Sequence, residues 1–112
     1  LFIDADIQQI EAAKRTGAPV IEIHTGHFAD AEDKTEQSRL LNEIKIACEH
    51  AEKIGLQVNA GHGLNRQNIH KIAALPQLRE LNIGHAIIAD SIFMGLDKVI
   101  CEYRRLMREA RI

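Results

Sequence analysis

The chain has 112 residues, 46% of them apolar and 27% charged, the make-up of one globular domain or of part of a larger one. Its 14 Lys and Arg stand against 16 Asp and Glu for a formal net charge of −2, and the basic residues are scattered, so no surface for nucleic acid or another polyanion is expected. No apolar run reaches the ~20 residues that a membrane span needs and no signal-peptide pattern opens the chain, so no membrane partner and a cytoplasmic location are expected.

The chain opens without a methionine on LFID, already inside a strand-like run, and so reads as part of a longer polypeptide. Residues 1–4 form the first predicted strand. Asp6 follows as an N-cap with Gln9 as its capping-box partner, and the helix they start, with Ile7, Ile10 and Ala13 on one stripe, stops at Gly17. Residues 20–24 are the second strand, and residues 25–33 read as a polar loop. The next helix, over 35–54, repeats Leu40, Leu41, Ile44, Ala47, Cys48 and Ala51 at helical spacing and ends at Gly55.

Residues 56–59 are the third strand, and the loop AGHGLN leads to a short helix over 66–74 that Pro76 terminates. Residues 81–83 form the fourth strand. After Gly84 and His85 comes an apolar helical segment to Met94, a break at Gly95, and an amphipathic helix through Val99, Tyr103 and Leu106. Cys48 and Cys101 sit in helical patterns far from any CxxC spacing and are expected to be buried, reduced thiols.

Four βα units in succession predict an α/β fold with parallel strands joined by right-handed crossovers. Side-chain alternation then chooses the architecture. Ile21 and Ile23 share one face while Glu22 and His24 share the other, and the same split sets Asn59, Asn82 and Asp4 against apolar neighbours. A doubly wound sheet is apolar on both faces, whereas a (β/α)8 TIM barrel turns its apolar residues out to the helices and gathers polar ones at the mouth. Four strands cannot close such a barrel, so residues 1–112 are expected to be its C-terminal half, strands 5 to 8.

Chemistry is expected where strands run into small residues. His62 lies between Gly61 and Gly63, an imidazole able to give and take a proton beside backbone N–H groups that can face an anion. Glu22, a carboxylate directed into the lumen, is a candidate for charge stabilisation or proton transfer. Gly84 and His85 open a helix and are expected to bind phosphate. His24 reads as a ligand contact or as an imidazole behind one. His27, His50 and His70 are assigned to solvent. A metal site built from His24, His62, His85, Glu22 and Asp4 is weighed and set aside, because neither an HxH pair nor HExxH is present.

The stretches FIDAD at residues 2–6, IEIHTG at 21–26, VNAGHGLN at 58–65 and LNIGHAIIADSIFMGL at 81–96 resemble the second half of the pyridoxine 5′-phosphate synthase family, from end to end of these residues. The resemblance implies a transferase of vitamin B6 biosynthesis. It would condense the small phosphorylated substrates 1-deoxy-D-xylulose 5-phosphate and 3-amino-2-oxopropyl phosphate without metal or organic cofactor, in octamers. It makes His62 the proton donor, Glu22 the lumen glutamate that stabilises charge, and Gly63, Gly84 and His85 contacts to the aminoketone phosphate. It also implies that further bases and phosphate-binding arginines come from the first four strands, so these residues alone are expected not to turn over and to pair with another half. Two other classes remain: a non-catalytic half-barrel that binds phosphate or self-assembles, and a metal-dependent barrel hydrolase.

Overall fold

Four parallel strands lie side by side in chain order in a computed structural model that describes residues 1–112: β1 (Phe2–Ile3), β2 (Val20–His24), β3 (Gln57–Gly61) and β4 (Leu78–Asn82). The chain returns between them through α1 (Ile7–Arg15), then α2 (Gly26–Asp30) with α3 (Lys34–Lys53), then α4 (Ile69–Ala73), while α5 (His85–Met94) and α6 (Leu96–Glu109) follow β4. A doubly wound sheet reverses its strand order at a switch point. This one does not reverse, and its mixed α/β arrangement with four parallel strands in chain order is consistent with a partial barrel.

The helices start and stop for local reasons. The Asp6 carboxylate accepts from the backbone N–H groups of Gln8 (2.7 Å) and Gln9 (3.2 Å), which caps α1. The expected capping box is not closed. Gln9 Oε1 instead accepts from the Asp4 backbone N–H at 2.9 Å, tying the end of β1 to the first turn of α1. Asp33 caps α3 through the Thr35 N–H at 2.9 Å, and the stripe Ile44, Ala47, Cys48 and Ala51 is buried.

That stripe meets Ile10 and Ala13 of α1 and the outward face of the sheet, where Ile21, Ile23, Val58 and Ala60 are at most 1% exposed. Burying an Ile or Val side chain in this way contributes about 1.5–3 kcal/mol, so this layer holds the sheet to its helices. A smaller cluster of Ile69, Ala73, Val99 and Tyr103 docks α6 on α4.

Several boundaries differ from the sequence expectation. The stretch 25–33 is not a polar loop, because Phe28 and Thr25 turn inward, 1% and 0% exposed, and draw the chain into α2. β3 continues two residues further, to Gly61, and α4 is shorter because Asn65 and Asn68 exchange side-chain hydrogen bonds in the turn ahead of it. β4 begins at Leu78, earlier than expected. Its pairing with β3 jumps from Val58–Leu78 to Asn59–Glu80, which leaves Arg79 unopposed. This bulge resets the alternation, so Glu80 and Asn82 share the polar face with Asn59.

Two side chains also move from their expected places. Cys48 is buried but Cys101 is exposed. His50 is not in open solvent, since its Nε2 lies 2.9 Å from Glu11 Oε1 and bridges α3 to α1. No helix is long and apolar enough to cross a membrane. β1 and β4 each pair on one side only. α5 buries none of its residues, leaving Ile92 and Phe93 79% and 92% exposed.

Candidate active site

The pairing of strands stacks the polar face in layers. Phe2, Glu22, Asn59 and Glu80 are register partners in one layer, and His24, Gly61 and Asn82 in the layer nearer the C-terminal ends. Asn59 is 7% exposed, and its Nδ2 donates to Glu80 Oε2 at 3.2 Å. Gly61 is glycine for want of room. A Cβ there would meet Glu22 Oε1, would lie 2.8 Å from the Asn82 carbonyl oxygen and would lie 3.2 Å from the Asn82 Cβ. The missing side chain is therefore the space that the Glu22 carboxylate occupies.

His62 follows at once, with φ +88°, and is the single non-glycine residue in the left-handed region. Such a backbone costs of order 1–3 kcal/mol and persists only where its surroundings impose it. Thr25 imposes it here. Its backbone N–H donates to the Gly61 carbonyl at 2.9 Å, and its fully buried hydroxyl, 2.7 Å from both the Gly61 and His62 carbonyl oxygens, shares one proton between them. Asn68 Nδ2 holds the Gly63 carbonyl at 3.1 Å, and Gly63 itself has φ +75°. With its backbone fixed on both sides, the His62 ring lies stacked on His24, centroids 4.9 Å apart.

Glu22, His62, Gly63, Gly84 and His85 all line one cleft of about 730 Å³, with Phe2 and Asn82 beside them. The two residues expected to be catalytic and the three expected to bind phosphate thus border the same space. Gly84 has open room where a Cβ would stand, and the N–H groups of the first turn of α5 behind it have no partner within the helix. An anion could approach there, since the helix N-terminus carries partial positive charge.

α5 is held in place from below. Asp90 accepts from Arg66 Nε at 3.2 Å and from the Tyr103 hydroxyl at 3.1 Å, joining α5 to the loop after His62 and to α6. Burial, reinforced by the hydrogen bond to Asp90, pushes the Tyr103 phenol up to about 12, so it stays a donor at every physiological pH.

His24 does not line the main cleft. Its ring stands edge-on to Phe2 and to His27, with centroids 5.1 and 5.4 Å away, and supports His62 from beneath. The metal grouping considered from sequence is not the one that the fold assembles. Asp4, His24 and His27 converge instead, with His27 exposed as expected. Thr25, Phe2 and Asp90 are additions that the sequence reading does not single out, whereas Asn82 lies on the polar face where alternation puts it. For Thr25 a signal existed in the triplet His24-Thr25-Gly26, a β-branched hydroxyl immediately past a strand end. Phe2 and Asp90 gave none, because an aromatic in a strand and an acid in a helix are ordinary.

A family model described as "Pyridoxal phosphate biosynthesis protein PdxJ" matches residues 1–109.

Proposed function

The chain belongs to the PdxJ family of pyridoxal phosphate biosynthesis proteins, and from that premise we propose that it works as part of a pyridoxine 5′-phosphate synthase. The reaction is the condensation of 1-deoxy-D-xylulose 5-phosphate with 3-amino-2-oxopropyl phosphate, closing a pyridine ring with release of phosphate and water and without a cofactor. The observation that carries this reading is the single cleft in which Glu22, His62, Gly63, Gly84 and His85 meet.

In this reading His62 is the general acid, giving its proton to an oxygen that leaves as water or phosphate. A positioned acid of this kind contributes roughly 10²–10⁴-fold. Its left-handed backbone supports the assignment, since strain of that sort gathers at functional positions. Glu22, below it on β2, stabilises positive charge on the condensing amine. Gly63, Gly84 and His85 bind the aminoketone phosphate, Gly84 by letting an oxygen approach the N–H groups of α5 and His85 by adding an imidazole donor.

The four βα units are, in the same proposal, the last four of an eight-unit TIM barrel, with residues 1–112 as its C-terminal half. The open edges of β1 and β4 and the exposed Ile88, Ile92 and Phe93 support this, because further units would cover them. Residues 1–112 alone are then inactive, the complete barrel self-associates as octamers, and the protein works in the cytoplasm. The same exposed face favours a second reading, a half-barrel that pairs with itself and performs no chemistry.

Product formation from both substrates by the complete barrel, compared with its His62→Asn variant, tests the proposal. Loss of at least a hundredfold in kcat with unchanged circular dichroism supports His62 as the acid. Equal turnover in the variant, or none in the parent, refutes it.

A further inference from the structure

Asp4 just past β1, His24 at the end of β2 and His27 in the first turn of α2 bring one carboxylate oxygen and two imidazole nitrogens within 4.8 Å of one another. None of the three lines the cleft that holds His62 and Glu22. They open instead on a separate cavity of about 230 Å³, which Phe28 and Glu43 also bound.

The spacing inside this group is informative. His24 Nδ1 is closed off from solvent and has no hydrogen-bond partner, and Asp4 Oδ1 lies 3.9 Å from it. That separation is too long for a direct hydrogen bond, while a bridging water would hold the two atoms about 4.5 Å apart. Two ligands at ~2.0–2.1 Å from a zinc-class ion in tetrahedral geometry lie roughly 3.4 Å apart. A small inward shift of Asp4, an exposed side chain, would therefore satisfy an otherwise unpaired nitrogen.

We propose that Asp4, His24 and His27 form a binding site for a divalent cation of the zinc class, with the remaining position left to water. Two imidazoles with one carboxylate suit such an ion far better than magnesium or calcium, which take mainly oxygen ligands. The ion would also fix the His24 ring, and that ring is the surface on which His62 stacks. The site stands on its own geometry and does not depend on the synthase reading.

The test is calorimetric titration of the metal-stripped protein with zinc chloride, repeated for Asp4→Asn, His27→Gln and His70→Gln, each checked for folding by circular dichroism. His27 and His70 are both exposed, and His70 on α4 is remote from the site in sequence and element. The expected result is one zinc per chain, bound at least tenfold more weakly by D4N and H27Q, equally well by H70Q, and undisturbed by excess magnesium. Absence of saturable binding, unchanged affinity in both D4N and H27Q, or a loss in H70Q as large as in H27Q would overturn the assignment.

Discussion

Replacing Gly61 by Ala tests the close approach on which the cleft is built. The new Cβ would stand 2.8 Å from the Asn82 carbonyl oxygen and 3.2 Å from the Asn82 Cβ, while also meeting the Glu22 carboxylate. The Glu22 end can swing aside at little cost. The Asn82 carbonyl is backbone of β4 and cannot, so β3 and β4 must part by about half an ångström, and overpacking of that kind costs about 1–3 kcal/mol. Gly84→Ala is the matched control, since nothing lies within 4 Å of its Cβ and its φ of −116° suits alanine. Urea unfolding should place G61A about 1–3 kcal/mol below the parent and G84A within roughly 0.5 kcal/mol of it. A G61A midpoint indistinguishable from the parent, or G84A as the less stable of the two, would refute the packing argument.

Three further outcomes follow from particular contacts. Thr25→Val keeps the shape of a buried side chain but withdraws the hydroxyl from the Gly61 and His62 carbonyls; the Gly61 carbonyl keeps the Thr25 backbone N–H, while the His62 carbonyl loses its partner, which should cost about 1–3 kcal/mol in urea unfolding, and a stability equal to the parent's would show that the Thr25 hydroxyl does not fix the loop. Tyr103 has its pKa raised to about 12 in the folded state by burial and then by Asp90, against ~10 when unfolded. Its stabilising share is therefore complete below pH 10 and disappears as pH rises from 10 to 12, so the melting temperature should fall across that window in the parent and less steeply in Tyr103→Phe; parallel curves would contradict this. Burial, aided by Glu49 and Glu52, pushes the Cys48 thiol up to about 12, whereas Cys101 is exposed. A thiol reagent at pH 8 should accordingly modify one cysteine per folded chain and the second only after denaturation, and rapid modification of both would disprove the burial of Cys48.

The scaffold and the site answer to different constraints. Ile21, Ile23, Val58 and Ala60 hold the outward face of the sheet against α1 and α3. With that face rigid, alternate residues on the other side can be polar, strained or absent without loosening the fold. Glu22, the left-handed His62 and the missing side chain of Gly61 are three such departures: the first two line the cleft, and the third leaves the room that the Glu22 carboxylate occupies. Thr25 joins the two constraints: itself fully buried, it reaches across to hold the loop that carries His62.

What the sequence determined by itself is whatever repeats or breaks locally. The three- and four-residue steps from Ile44 to Ala51 specify the stripe of α3, alternation in Val20–His24 separates Ile21 and Ile23 from Glu22 and His24, and glycines beside His62 mark where the chain leaves β3. The gathering of Glu22, His62, Gly63, Gly84 and His85 about one cleft was legible for that reason, as was the α/β fold with parallel strands. Only the tertiary structure decided the bulge at Arg79, the burial of Phe28 and the convergence of Asp4, His24 and His27. Those features depend on which strand lies alongside and in what register, and a pairing between residues 20 or more positions apart leaves no periodicity in either segment alone.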